Sequence, residues 1–155
     1  MTPGIEQARM AGITHKVHEY DHDSSSESYG AEAALKLGLP EDQVFKTLVV
    51  SLDGGTLAVG VIPVSSMLSM KLIAKAAGAK KATMAAPADV ERSTGYVLGG
   101  VSPLGQKKRL KTIVDASALQ HPTVHVSAGR RGLEIELSPN DLVALVDGKF
   151  AELCQ

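Results

Sequence analysis

The sequence predicts one mixed α/β domain of the α+β kind, spanning residues 1–155 and built on a curved, largely antiparallel sheet. Three observations predict it. Two pairs of strand-like runs straddle glycine turns, at Asp53-Gly54-Gly55 and at Ala128-Gly129-Arg130-Arg131-Gly132, and so read as hairpins. The stretches around them carry helix start and stop residues. No repeat, linker or low-complexity segment divides the chain.

Taken in order, Thr2-Pro3 reads as an N-cap followed by proline in the first turn, and Gly12 is a natural stop, which predicts a helix over residues 3–11. Residues 13–20 read as extended, with His18 and Tyr20 on one face and Val17 on the other. The polar run 21–28 reads as a loop, from which Ser28 would cap a helix reaching Leu37 ahead of Gly38, with Tyr29 at its entrance. Pro40-Glu41-Asp42-Gln43 predicts a single helical turn.

Residues 44–52 are the strongest strand signal, and the Asp53-Gly54-Gly55 turn returns the chain through residues 56–63. Alternation puts Val44, Lys46, Leu48 and Val50 on one face and Phe45, Thr47 and Val49 on the other. Lys46 is therefore a cation among apolar neighbours. Either it snorkels to solvent or it is held in a cleft for an anion.

Ser69 caps a predicted helix ending near Ala77, before Gly78; residues 81–84 read as a short strand, and Pro87 opens a helix through Arg92. Residues 112–114 read as a strand, 123–127 and 133–137 as the second hairpin. Ser138-Pro139 starts a terminal helix that buries Leu142, Val143 and Val146.

Residues 94–109 fit no regular element. Four glycines, Gly95, Gly99, Gly100 and Gly105, fall within eleven residues, so the backbone must take positive φ or admit a close neighbour. Lys107, Lys108, Arg109 and Lys111 follow, which points to something anionic against the loop. A Walker phosphate loop does not fit: Gln106 and Lys107 stand where Lys and then Ser or Thr belong after Gly105, and Pro103 removes one cradling amide. A tight glycine turn with a solvated basic tail is the other reading.

Composition narrows the function classes. A net charge of −1 and a pI near 6.5 exclude a protein that coats nucleic acid through bulk charge, though not one that grips a short RNA end. Three Tyr, two Phe and no Trp do not furnish a multi-base stacking platform. Cys154 is the lone cysteine, which excludes a disulfide framework and suits a reducing cytosol. With no signal-like N-terminus and no apolar run of membrane length, the expectation is a soluble cytoplasmic protein with no membrane partner.

The histidines fall as His15, His18 and His22 and as His121 and His125, and neither group repeats a zinc spacing, so no metal and no cofactor is predicted. No Gly-x-Ser-x-Gly elbow is present, and Ser102, followed by proline, has no identifiable His and Asp partners. Glu134 and Glu136 project to the same face of one strand, for which a solvated face is the ordinary explanation.

Four blocks in register carry a resemblance: Val44-Phe45-Lys46-Thr47-Leu48-Val49, Arg92-Ser93-Thr94-Gly95-Tyr96, the run from Gly99-Gly100-Val101-Ser102-Pro103 to Lys107-Lys108-Arg109-Leu110, and Arg131-Gly132-Leu133-Glu134-Ile135-Glu136-Leu137. Together they resemble the YbaK/EbsC family of Cys-tRNA(Pro) and Cys-tRNA(Cys) deacylases, free-standing relatives of the editing domain of bacterial prolyl-tRNA synthetases. The likeness runs over essentially the whole chain. It implies a barrel-like sheet flanked by helices and a trans-editing hydrolase whose partner is aminoacyl-tRNA, with prolyl-tRNA synthetase as a further partner for tRNA selection.

By that resemblance Lys46 matches the family's essential lysine, able to hold the terminal adenosine phosphate or the ester. Gly99 and Gly100 match a glycine pair whose amides face the scissile carbonyl as an oxyanion site. Tyr20, Tyr29, Ser102, Ser127 and Glu134 are the implied substrate-binding positions. Tyr29 stands where better-known members carry Phe, and Glu134 where they carry Asp. An ionised Glu134 would keep that charge and reach one methylene further. The missing side-chain nucleophile is implied to come from the substrate, whose cysteine thiol attacks its own ester and leaves as a thiolactone. A non-catalytic binder of aminoacyl-tRNA 3′ ends is the alternative.

Overall fold

The computed structural model describes residues 1–23 and 29–155, Tyr29 by its backbone alone; the predicted Ser28 cap lies outside the described residues. Helix α1 (Pro3–Ala11) starts where the Thr2 hydroxyl accepts from the Ile5 amide and ends at Gly12, left-handed at φ 70°. After strand β1 (His15–Glu19) come α2 (Tyr29–Leu37) and the predicted single turn, a 3-10 turn over Glu41–Gln43. The first hairpin is β2 (Phe45–Leu52) and β3 (Thr56–Pro63). Helix α3 (Met70–Ala77) is capped by Ser69 and stopped by Gly78, as its sequence predicts.

Strand β4 (Ala82–Met84) and helix α4 (Pro87–Thr94) lead into the glycine loop, and β5 (Lys111–Asp115) leaves it. The second hairpin, β6 (Val124–Arg130) and β7 (Leu133–Leu137), precedes α5 (Pro139–Val146). Two short elements go beyond the sequence reading: a 3-10 turn over Ala116–Gln120 and an edge strand β8 (Lys149–Ala151). The turn is capped by Asp115, whose side chain accepts from the Ser117 amide, whereas β8 is held by its parallel pairing with β5.

The strands form two sheets, not one barrel-like sheet. The small sheet has the order β1-β7-β6 and is antiparallel throughout. The large sheet runs β4-β2-β3-β5-β8, antiparallel from β4 to β3 and parallel at β3-β5 and β5-β8. A single bridge, Val44 to His125, joins the two. Further along, β6 is bulged against β7 between Ser127 and Arg130, with Gly129 at φ 120°, and pairing resumes at Arg130 with Leu133.

Between the sheets lies the main core, with Phe45, Val49, Val59, Val61 and Val114 from one side and Val124, Val126, Ile135 and Leu137 from the other. A second core packs Val50, Ala58, Ile62 and Ile113 against Ile73 and Ala77 of α3. The alternation read along β2 is thus the partition of its side chains between two cores. Each such buried aliphatic side chain contributes about 1.5–3 kcal/mol. Gly60 on β3 lets α3 sit close: a Cβ there would lie 2.9 Å from Ile73 Cδ1.

Candidate active site

The site is assembled where the two sheets diverge. Residues 45–48 of β2 pair with β3 on one edge, while β4 reaches only Val50, Ser51 and Leu52, so their other edge is left open beside β6 and β7. The glycine loop closes over this gap. Lys107 and Lys108 donate their amides to the carbonyls of Thr94 and Ser93 at 3.1 and 3.0 Å, which ties the loop's end back to α4. Inside the loop the Tyr96 hydroxyl donates to Leu104 O at 2.7 Å. Gly105, at φ 68°, packs its backbone on Pro3 and donates to Gln7 Oε1 at 2.7 Å, mooring the loop to α1.

A pocket of about 280 Å³ results, lined by Lys46 and Thr47 of β2, Gly99 of the loop, Tyr20 beyond β1, Ser127 and Arg130 of β6, and Glu134 of β7. Five of the sequence-derived positions, Lys46, Gly99, Tyr20, Ser127 and Glu134, therefore share one cavity although 114 residues separate the first of them from the last. Its volume suits an aminoacyl group and the sugar that carries it, not a polynucleotide.

The glycine pair does not act as a pair. Gly99 takes φ 89°, where an L side chain is strained, and its amide has no protein acceptor among the described residues. Gly100 instead donates to Val97 O at 2.9 Å, closing a turn, and a Cβ on it would come within 3.0 Å of Arg130 Cα. Its amide is occupied, so Gly100 is small to let β6 pass. Nearby, the Arg131 guanidinium donates to Leu98 O at 3.2 Å and braces the same turn.

Ser102 is not brought to the pocket. It is fully buried and its Oγ accepts from the Leu104 amide at 3.1 Å, a local turn bond inside the loop. Tyr29 begins α2, and its side chain lies outside the described residues. The basic run is also displaced from the pocket. Lys111 donates to Ala77 O at 3.0 Å, Arg109 lies 3.7 Å from Asp147, and Lys108 and Arg109 border a shallower cleft by α5. The cations of the pocket are Lys46, Arg130 and Arg131 instead.

Glu134 departs most from expectation. It is 6% exposed, no ion pair reaches it among the described residues, and burial pushes its carboxyl up to about 8. Burial thus favours its protonated form at neutral pH. The solvated-face reading of β7 fails for the same reason: this is the central strand of its sheet, with β1 and β6 on either side. Beside it, burial foremost raises the Tyr20 hydroxyl above the ordinary tyrosine value, with Glu134 and Glu32 adding to the effect.

Thr47 and Arg130 are among the lining residues that the sequence reading did not single out. Thr47 has a buried Oγ1 without a hydrogen-bond partner, so it can serve a ligand, and Arg130 is turned to the pocket by the bulge. Thr47 sits within a quoted block, but alternation alone gives it to the core. Arg130 reads as turn, and nothing local announces the bulge.

With this geometry in hand, the aminoacyl-tRNA editing domain family matches residues 25–145. The chain belongs to that family. Among curated relatives of this editing domain, an Enterococcus faecalis protein, EbsC, provisionally named a Cys-tRNA(Pro)/Cys-tRNA(Cys) deacylase, is 42% identical over 142 residues, 90% of this chain and 87% of that one. A solved structure titled as a candidate trans-editing enzyme for prolyl-tRNA synthetase shares the editing-domain fold at TM-score 0.85 and 24% identity, over 100% of this chain and 99% of the other. Another, of a hypothetical protein, APE2540, superposes at TM-score 0.87 with 27% identity over 99% of both chains. The YbaK/EbsC likeness carried by the four sequence blocks is thereby established, and no helix among the described residues is long and apolar enough to cross a membrane.

Proposed function

We propose that this editing domain is a trans-acting deacylase that removes cysteine from misacylated Cys-tRNA(Pro), and from Cys-tRNA(Cys) where it meets it. The observation that carries the reading is the convergence of Lys46, the unengaged Gly99 amide, Ser127, Tyr20 and Glu134 on one cavity of aminoacyl size. That cavity supplies a point charge, a backbone donor and polar walls. Among the described residues that line it Ser127 is the sole serine and no histidine or cysteine is present, and in this reading the nucleophile comes with the substrate.

In this mechanism the substrate's thiol loses its proton and its sulfur bonds to the ester carbonyl carbon. The carbonyl electrons move to oxygen, which the Gly99 N–H stabilises. The bond to the ribose oxygen then breaks, the ribose hydroxyl recovers a proton, and the cysteine departs as a thiolactone that water opens. Holding thiol and carbonyl together supplies much of the rate, because the attack is intramolecular. Lys46 anchors the terminal phosphate or the ester as a point charge. Glu134, protonated in the free protein, can donate a hydrogen bond without repelling the developing thiolate. Since the chain's net charge is −1, selection among tRNAs falls to a partner such as prolyl-tRNA synthetase.

The test is deacylation of Cys-tRNA(Pro), Ser-tRNA and Ala-tRNA, with and without prolyl-tRNA synthetase. Cys-tRNA(Pro) should react far faster than the other two, and Lys46→Ala should lower its rate by about 10²–10³-fold with tRNA affinity little changed. Equal rates for cysteinyl and seryl esters would remove the thiol mechanism. Absence of turnover on any of them, with binding retained, would make the protein a binder of aminoacyl-tRNA ends.

A further inference from the structure

The small sheet carries a second cluster, two residues along from the pocket on the same strands. His18 of β1, Glu136 of β7 and His125 of β6 all project from the face that also bears Glu134 and Ser127, as the registers His18 with Glu134, His125 with Glu136 and Ser127 with Glu134 require. One donor atom from each of the three lies within 4.8 Å of the others. We propose that His18, His125 and Glu136 bind a divalent cation of the zinc class.

Four features support the site. The carboxylate lies between the imidazoles, Oε1 at 2.8 Å from His18 Nε2 and Oε2 at 3.9 Å from His125 Nε2. Zinc bonded to nitrogen and oxygen at its usual lengths holds tetrahedral donors roughly 3.4 Å apart, a value those two separations bracket.

Second, His125 is 2% exposed yet makes no hydrogen bond: Nδ1 has no partner, and Nε2 is too far from Glu136 for one. Its Nε2 is therefore available to an ion, while the buried Nδ1 would stay without a partner. Third, the Thr123 hydroxyl donates to Glu136 Oε2 at 2.6 Å, the kind of outer partner that orients a metal-binding carboxylate. Fourth, the His18 side chain is 31% exposed, leaving an entry path and an open coordination position. A bound ion would fasten both edge strands, β1 and β6, to the central β7. The competing explanation is a plain hydrogen-bonded network of Thr123, Glu136 and His18.

The test uses the full chain stripped with a chelator and titrated with Zn²⁺ or Co²⁺, and it does not depend on the deacylase reading. Expected are one equivalent of zinc retained per chain, visible d–d absorption on adding cobalt, and a higher thermal midpoint with zinc. His18→Ala, at a partly exposed position that should still fold, and Glu136→Gln should each weaken binding by at least the roughly 10–100-fold that outer-shell partners alone command. Lys46→Ala should leave it unchanged. No saturable binding, or zinc retained equally by both the His18 and the Glu136 variants, overturns the proposal.

Discussion

Glu134 and Glu136 are the same residue type, on the same face of the same strand, two positions apart, and their electrostatics are opposite. Burial without an ionic partner raises Glu134 to about 8. Glu136 is held below the usual carboxylate value, foremost by the Thr123 hydroxyl and then by His18, with burial opposing them. Residue identity and strand position therefore do not decide protonation. What decides it is surroundings: burial with no compensating group for Glu134, and for Glu136 the Thr123 hydroxyl foremost, with His18 and His125 in support.

The sharpest way to break this comparison is Glu134→Gln, which keeps the shape of the neutral acid and removes its titration. Because the folded protein holds that proton while the unfolded chain releases it near 4.5, the native state should lose stability as pH rises from about 4.5 to about 8 and level off above. The full step corresponds to a few kcal/mol, about 1.4 kcal/mol for each pH unit crossed. Denaturant midpoints measured from pH 4 to 9 should show the wild type falling relative to Glu134→Gln across this window. A wild type that runs parallel to the variant would mean that Glu134 is ionised at neutral pH.

Glu136→Gln should act at the opposite end of the pH scale. Its folded-state pKa is lowered, so its stabilisation is present above its unfolded value and disappears as pH falls through the folded one. Loss of hydrogen bonds to a charged group costs about 1.5–3 kcal/mol. That deficit should appear at pH 7 and shrink on acidification. Burial, foremost, holds His125 below the ordinary histidine value, with His18 acting in the same direction against Glu136. The acid limb below about 6.5 thus contains a His125 contribution that Glu136→Gln leaves behind.

The same contrast separates what sequence conveys from what it does not. Helices α1, α3 and α5 were legible because Thr2, Ser69 and Ser138 each cap the helix beginning beside them, a signal contained within four residues. The hairpins were legible through their glycine turns. The division into two sheets was not, since it lies in long-range pairings, among them the parallel ones between β3, β5 and β8, that no local pattern encodes. Lys46 stood out as a cation among apolar neighbours and Gly99 as part of a glycine-dense stretch, but their implied roles, and that of Glu134, came only from whole blocks that resemble a known family. The ionisation of Glu134 could not be read there, because it depends on burial. Nor could the histidine cluster: spacing rules compare residues near in sequence, whereas His18 meets His125 and Glu136 by strand pairing.

The smallest expected effect isolates the cause of the difference. Thr123→Val keeps the side-chain shape and deletes the 2.6 Å bond to Glu136 Oε2, for a cost of about 1 kcal/mol. Since that bond is the foremost reason for the low pKa of Glu136, its titration should move up toward 4.5, while the His18 bond at 2.8 Å still holds the carboxylate in place. Carboxyl ¹³C shifts followed through a pH titration would read both glutamates in one experiment. Glu134 has no bond to Thr123, so its transition near 8 should stay where it is. If Glu134 moves as well, the two carboxyls titrate as one coupled system and the contrast belongs to the pair, not to two separate surroundings. If only Glu136 moves, a single hydroxyl, on the residue just before β6, accounts for much of the opposition between them.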